Sequence, residues 1–552
     1  MTTPTIDRPI PGSRYGARRA CPPMLSALLF LLVGATILNL PDHPGALKVE
    51  FFLRLPLEVP ALGVLLLLPG RRWKRVLTGV VTLLATLILC LKLADIGTQA
   101  AFQRPFNPYL DGKMLRDAWN IAAGNLGAFT AFLGVVAALL GLALVILLLR
   151  QAMAGLARLE GRPRHLGLAA AAALLAIGGL LHGKDADLPV TAEAGPYLSE
   201  RLQLIVASVR DLQAFDRELA EARGPQSGQG LFSAVSGRDV ILVFVESYGQ
   251  SAVEDPRYAP TIRPRLEGMQ RDLAAAGFAS ASTWITSPTV GGLSWLAHGT
   301  FLSGLWTDSQ ARYDRLMISK RPSLNRLFAE AGWESVAVMP AITMDWPQSA
   351  YYGYDRILAA ADLGYRGKPF NWITMPDQYT LSAFQRRVRD TPDRKPVMAQ
   401  VVLISSHAPW TPVAHLVDWD TIGDGRIFDA QATGDQPPAV VWADPDNVRR
   451  HYLETIDYSL AALGSYIARD GGDALFLIIG DHQPAAIVTG PQASRAVPLH
   501  VVSRDKALVA RFEKDGFAAG LVPPSALPAT RMDSLRDRLI RLLSGAPLPS
   551  QG

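Results

Sequence analysis

Three apolar runs in the second half of this 552-residue sequence end in side chains that bind metals or move protons. Asp239 to Val245 (DVILVFV) runs into Glu246. Val397 to Ile404 (VMAQVVLI) is followed within three residues by His407, in the string SSHAPW. Ala474 to Ile479 (ALFLII) is followed by Gly480 and then by Asp481 and His482. Carboxylate oxygens and imidazole nitrogens are the donor set of a divalent cation site, and three such run ends converging would make one. Each position has a plainer reading: Glu246 as a helix-capping or surface acid, Asp481 as the cap of a following helix. A nucleophile is offered by Thr286 to Trp306 (TSPTVGGLSWLAHGTFLSGLW), where a Gly-Gly pair precedes Ser294 and Gly304 closes a helix-like run. A Ser in the first helical turn lies near free backbone N–H groups and the positive end of the dipole, which favour an alkoxide and a bound phosphate. On local sequence alone an N-cap is the stronger reading of Ser294. His298, four residues on, shares a helix face with it and is either a proton donor or phosphate ligand, or a packed core histidine.

These positions have to be brought together by a scaffold. The four-to-eight-residue apolar runs, including Ser335 to Met339, are the pattern of strands buried on both faces. Helical spacing fills the intervals at Ile262 to Ala275, Ser323 to Ala331, Gln378 to Arg389 and Asn447 to Arg469. The alternation predicts an α/β domain around a mainly parallel sheet, whose site lies at the carboxyl ends of the strands. Trp346, Tyr351, Tyr352 and Tyr354 could line a pocket there, although aromatics after a strand are more often core. His415, His451 and His500 read as structural.

The first third of the chain is of another kind. The whole sequence is 49% hydrophobic and 19% charged, and the apolar residues are concentrated ahead of residue 182. Five stretches, Met24 to Leu40, Phe51 to Pro69, Leu77 to Ala94, Leu126 to Leu149 and Leu166 to Leu181, approach the ~20 residues of helix that cross a hydrocarbon layer. The second contains Arg54 and Glu58, which places part of it at an interface or in a protein-lined groove. The net charge of +5 does not indicate nucleic acid, because the Arg and Lys clusters stand between apolar stretches. Arg71, Arg72, Lys74 and Arg75, and again Arg150, Arg158, Arg162 and Arg164, mark cytoplasmic loops; an odd number of spans then puts the rest of the chain outside. No small-residue cleavage pattern follows the first span. The expected organisation is a five-helix transmembrane domain over 1–182, a juxtamembrane helix and linker over 183–237, and an external domain over 238–552. Within the linker, Tyr197 to Arg223 has amphipathic spacing and either lies near the membrane surface or packs on the external domain, and Gly224 to Gly230 reads as a flexible joint. Cys21 and Cys90 both belong to the membrane part, so the external domain has no disulfide.

The same residues resemble the alkaline phosphatase superfamily in its sulfatase-like branch, and the layout is similar to lipoteichoic acid synthases and to phosphoglycerol and phosphoethanolamine transferases. In that family a strand-end acid is a metal ligand, a position that falls on Glu246, and a Gly-Asp-His element supplies two more, Asp481 and His482. The nucleophile stands ten residues before the Gly that closes its helix, which from Gly304 points to Ser294. A Ser-His-x-Pro element with a substrate-binding His falls on His407, and Asp377 in TMPDQY matches a further element. The resemblance implies an α/β sulfatase-like domain with zinc or manganese held by Glu246, Ser294, Asp481 and His482. It also implies a multi-pass enzyme of a bacterial-type inner membrane with its catalytic domain periplasmic or extracellular. Its activity would be transfer of a phospho-alcohol head group from a membrane lipid donor to a glycan or lipid acceptor through a phospho-serine. The chain departs from the pattern in having Ser where lipid-modifying relatives commonly have Thr, with Thr289 and Ser287 as neighbouring hydroxyls. It also has Leu296 and His298 where sulfatases carry the sequence converted to formylglycine, and it lacks the disulfides usual in phosphoethanolamine transferases. A phosphate- or sulfate-ester hydrolase is the alternative enzyme, and a silent glycan- or protein-binding domain the alternative of another class.

Overall fold

The computed structural model describes residues 22–43, 47–112, 118–119, 122–123, 127–181, 190–221 and 224–544. Cys21 and the Arg residues ahead of the first span lie outside them. The chain divides into two compact units, one made of 1–94 with 132–201 and the other of 95–131 with 202–552.

The first unit is helical. Among the described residues three helices are long and apolar enough to cross a membrane: Arg71–Phe102, Ala128–Ala157 and Gly161–Leu181. Two more apolar helices, Met24–Asn39 and Glu58–Leu67, are shorter. At 1.5 Å per residue these reach about 24 Å and about 15 Å, less than the ~30 Å hydrocarbon thickness. Thus three of the five expected spans have full length. The helix of the second expected span starts only at Glu58, because Leu55 and Pro56 form a short strand β1 that pairs in parallel with Val190 and Thr191, strand β2. Backbone already committed to that pair cannot continue a helix.

The second unit is an α/β domain built on a nine-stranded sheet. Its strands are β3 (Val240–Val245), β4 (Ala279–Thr286), β5 (Glu334–Met339), β6 (Arg356–Ala359), β7 (Val397–Leu403), β8 (Leu475–Gly480), β9 (Ala496–Ser503), β10 (Ala518–Ala519) and β11 (Thr530–Arg531). The order is β10-β4-β9-β8-β3-β7-β5-β6, with β11 beside β4. The four strands anticipated from the sequence, β3, β5, β7 and β8, are neighbours in the centre and run parallel. The sheet as a whole is mixed rather than mainly parallel: β9 runs antiparallel to both β8 and β4, and β10 antiparallel to β4. Small and polar residues hide β4 (ASASTWIT), and Pro498 and His500 interrupt the pattern of β9, although every β9 residue is buried. A proline inside a central strand is unusual enough that sequence reading passes over it.

Buried apolar side chains from both faces of the sheet form one core with the flanking helices. A buried carboxylate ties two central strands at their amino ends. Asp239 Oδ1 accepts from the Val397 N–H at 3.0 Å and from Arg394 at 2.7 Å, while Oδ2 accepts from Arg394 at 2.7 Å and Arg389 at 3.2 Å. Burial alone would raise its pKa, but the Arg394 guanidinium and the backbone donor hold the carboxyl below its ordinary value. The amphipathic helix runs from Ala194 to Ala220. Its part within this unit packs on the domain, with Phe215 buried, Arg312 paired to Asp211 and Arg315 to Asp216. The glycine-rich stretch after it is docked rather than free at Gly228, whose N–H donates to Glu330 at 2.7 Å.

Candidate metal centre and nucleophile

The carboxyl ends of β3 and β8 lie side by side, with Val245 registered against Gly480, so Glu246 and Asp481 leave the sheet together. The approach is close: a side chain on Gly480 would meet the Tyr248 carbonyl oxygen at 1.8 Å, which only glycine avoids. Ser247 turns the chain sharply with φ +56°, a conformation that costs a non-glycine residue energy and is typical of functional sites. Its hydroxyl bonds Glu246 Oε1 at 3.1 Å.

Asp481 Oδ1 accepts the backbone N–H groups of Ser247 at 2.9 Å and His482 at 2.7 Å. Its other oxygen, Oδ2, is buried without a hydrogen-bond partner. It lies 3.7 Å from His482 Nε2, which in turn is 3.2 Å from Glu246 Oε1. His482 Nδ1 sits 2.8 Å from the Gln483 carbonyl oxygen, an acceptor that fixes a proton on Nδ1 and leaves Nε2 to face the carboxylates. Ligand atoms of Glu246, Asp481 and His482 all fall within 4.8 Å of one another. Two buried carboxylates at this range repel, and a carboxylate oxygen with no donor is costly unless a cation compensates it. In the bare protein the electrostatics show that need. Burial opposes charge on Glu246, yet the neighbouring His482 holds its carboxyl well below the usual range. Burial and the Glu246 charge push Asp481 up to about 8. Burial would depress His482, but Asp481 and Glu246 raise it to about 9. The donor set, two carboxylates and an imidazole nitrogen, fits a divalent cation of the zinc or manganese type.

Ser294 opens the helix Ser294–Ser303, and Leu293 rather than Ser294 is its N-cap residue, in left-handed conformation at φ 65° with no side-chain cap. The capping alternative for Ser294 therefore fails. Its hydroxyl donates instead to Glu246 Oε2 at 2.9 Å and lies 3.2 Å from His482 Nε2. The left-handed turn at Leu293 thus delivers the Ser294 hydroxyl at the helix start. Gly291, at φ +76°, lets this turn pass the Ala101 carbonyl, which a side chain there would meet at 1.7 Å. The competing hydroxyls are engaged elsewhere: Ser287 donates to the Asp481 carbonyl at 2.6 Å and Thr289 to the Gly292 carbonyl at 2.7 Å.

His407 follows β7 and stacks on Trp372, ring centroids 4.1 Å apart. The loop that carries it is anchored from both sides. Ser406 donates to the Glu246 carbonyl at 2.6 Å. Asp377 Oδ1 accepts from the N–H groups of Ile404 at 2.7 Å and Ser405 at 2.9 Å, and Oδ2 from Ser459 at 2.6 Å. Asp377 is thus a buried anchor of the His407 loop.

His298 is a different matter. Its ring packs at 4.1 Å from that of Phe244 and Nε2 is buried with no hydrogen-bond partner. Burial pulls its pKa down to about 4. Tyr351 and Tyr352 belong to the core, and Trp346 packs against Tyr352 and Tyr354. His415 is exposed, His451 hydrogen-bonds the Asn447 carbonyl, and His500 meets Tyr248. Gln483 was not singled out by sequence; it accepts from Ser251 at 2.6 Å and so fixes the loop after His482 against the one after Glu246. Its place directly after the Asp-His pair was the only signal. Trp372, which holds the His407 ring, had none.

No protein-family model matches the chain, and no curated protein matches it. Solved structures to which it is similar include the lipoteichoic acid synthase LtaP from Listeria monocytogenes, at 14% identity over 57% of this chain and 73% of that one, TM-score 0.37. Another is the C-terminal periplasmic domain of EcEptC from Escherichia coli in complex with Zn, at 15% identity over 56% of this chain and 83% of that one, TM-score 0.37. A third is the Streptococcus pyogenes phosphoglycerol transferase GacH in complex with sn-glycerol-1-phosphate, at 11% identity over 63% of this chain and 87% of that one, TM-score 0.35.

Proposed function

We propose that the chain is a metal-dependent, membrane-anchored phosphotransferase that moves a phospho-alcohol head group from a phospholipid to a glycan or lipid acceptor. One observation carries the reading: the Ser294 hydroxyl stands among Glu246, His482 and Asp481, at 2.9 Å from Glu246 and 3.2 Å from His482. A helix cap has no use for that arrangement, whereas a nucleophile does. Glu246, Asp481, His482 and Ser294 would hold a divalent cation, which supplies Lewis-acid polarisation of a phosphate oxygen and favours ionised serine. The Ser294 oxygen attacks phosphorus, its bond to phosphorus forms as the bond to diacylglycerol breaks, and the serine proton ends on the departing alcohol. Asp377 and Ser406 position His407, which would hold a phosphoryl oxygen as charge develops. An acceptor hydroxyl then attacks the same phosphorus, its bond forming as the Ser294 oxygen–phosphorus bond breaks, and its proton ends on the Ser294 oxygen. In this reading the α/β unit lies outside a bacterial-type inner membrane, which the alternation of basic loops supports.

Incubation with a phospholipid labelled in its head-group phosphate tests the proposal. The expected result is released diacylglycerol and a label on the peptide containing Ser294. Diacylglycerol release with water as the only acceptor would make the enzyme a hydrolase, and absence of both products would remove the reading.

A further inference from the structure

The α/β unit includes the segment from Asp95 to Ala131, which no step of the chemistry above uses. Its first residues are the end of the helix Arg71–Phe102, and that end reaches both loops that carry the candidate site. On one side is the turn before Ser294. The Ala101 carbonyl fills the space a side chain on Gly291 would need, and the Phe102 ring lies 3.5 Å from where a side chain on Gly292 would begin. On the other side is the loop after His482, where the Gln103 amide donates to Thr489 Oγ1 and to the Gly490 carbonyl, each at 3.2 Å.

The two loops are also joined to each other. Val290 pairs in parallel with Gln483, and the Gly291 N–H donates to the Gln483 carbonyl at 2.8 Å. The same carbonyl lies 2.8 Å from His482 Nδ1. A shift of the Gly291–Gly292 turn would therefore move the Ser294 hydroxyl and the His482 ring together. Both glycines have positive φ, 76° and 147°, and glycine backbone is the least restricted of any residue's. Such a turn gains its rigidity from what packs on it, and the helix end does so.

Gln103 shows that the contact is specified by a side chain. Its N–H bonds the Gln99 carbonyl at 3.2 Å, which closes the helix, and its backbone is left-handed at φ 52°. Glycine is the usual residue at that place, because a Cβ is strained there. Glutamine adds the amide that bonds Thr489 and Gly490. The residues beyond are folded back on the segment itself. Asp95 accepts from the Phe106 N–H at 2.8 Å, Arg104 pairs with Asp111 at 2.7 Å, and the Asn107 amide donates to Ser208 at 2.7 Å.

We propose that Phe102 and Gln103 are positioning residues for the nucleophile. They hold the Gly291–Gly292 turn and the loop after His482 at a fixed separation, which keeps the Ser294 hydroxyl on Glu246 and His482. A misplacement of about 1 Å at a reacting group costs about 100-fold in rate, so a brace of this kind acts on kcat. The kinetic part of the proposal rests on Ser294 being the nucleophile; the brace itself does not.

The test uses the full chain in nanodiscs and the variant Gln103→Gly, which relieves the left-handed strain, keeps the helix end and removes only the amide. Thermal unfolding and bound zinc or manganese should stay nearly unchanged. kcat should fall several-fold with KM nearly constant, and hydrogen exchange over peptides covering 288–296 and 483–490 should become several-fold faster. Phe102→Ala should act in the same direction and Phe102→Leu should restore most of the rate. Tyr109→Ala, at an exposed position of the same segment, should change neither measurement. Unaltered exchange over both peptides in Gln103→Gly would overturn the proposal whether or not Ser294 is found labelled. An unchanged kcat, a rise in KM alone or a loss of metal in that variant would overturn it as well. Absence of label on Ser294 in the unaltered chain would instead remove the nucleophile reading, and the exchange result would then decide the brace.

Discussion

Ser294 separates two residue-level readings cleanly, because its hydroxyl either bonds the helix backbone or faces the carboxylates, and it faces the carboxylates. Ser294→Ala should lower turnover by several orders of magnitude, since the attacking oxygen is lost. Stability should fall by about 1.5–3 kcal/mol, the range for a hydrogen bond to a charged group, as read from chemical denaturation. Normal turnover in Ser294→Ala, or a phosphate mapped to Thr289, would remove Ser294 from the role. Asp481 makes a second residue-level test. Asp481→Ala should reduce bound zinc or manganese well below stoichiometry in purified protein, because the partnerless Oδ2 is the oxygen that faces His482 and Glu246. The unaltered protein should also lose metal affinity as pH falls, because protons compete for the same carboxylates and imidazole. Full occupancy in Asp481→Ala by elemental analysis would exclude it as a ligand.

At the scale of elements, the register of β3 against β7 depends on Asp239, where one buried carboxylate meets two guanidinium groups and a strand N–H. Asp239→Asn should destabilise the domain by about 3–5 kcal/mol, because Arg389 and Arg394 lose their buried counter-charge. The sign of the pH dependence follows from the lowered pKa. The unfolded carboxyl titrates near its ordinary ~3.9 and the folded one below that, so the stabilisation is complete above ~3.9 and is lost as pH falls through the folded value. Denaturation midpoints of the two proteins should therefore converge in acid and separate above about pH 5; parallel curves would show that the ion pairs contribute little. The loop after β7 depends on Asp377 in the same way. Asp377→Asn should lower turnover more than metal content, since the residue anchors the His407 loop and touches no metal ligand.

For the molecule as a whole the open quantity is topology. Among the described residues three helices have the length and apolarity to cross a membrane, and two further apolar helices are shorter. Basic residues at Arg71, Arg72, Lys74 and Arg75 and at Arg150, Arg158, Arg162 and Arg164 alternate with poorer loops. A reporter active only outside the cytoplasm should therefore work when fused after Gly230 and fail when fused after Arg72 or Arg162. The reverse pattern, activity after Arg72 and Arg162 and none after Gly230, would show that one of the short helices does not cross.

Local patterns sufficed for what depends on neighbouring residues. Uninterrupted apolar runs needed no partner to be read as buried strands, and an acid or histidine directly after such a run is placed at a strand end wherever the strand lies. Glu246, Asp481, His482 and His407 were legible for that reason, as was the apolar first third. What the sequence could not state was which partner each group meets across the fold. Ser294 is joined to Glu246 and His482 across 48 and 188 residues, so its choice between cap and nucleophile was made by the packing of distant loops. His298 shares a helix face with Ser294, but its lowered pKa comes from burial beside Phe244. The mixed sheet was equally hidden, because β4 and β9 are stabilised by pairing and burial between other strands rather than by an apolar pattern of their own. Propensity and hydropathy act along the chain, whereas ligand geometry, desolvation and strand direction are settled by contacts between segments far apart in it.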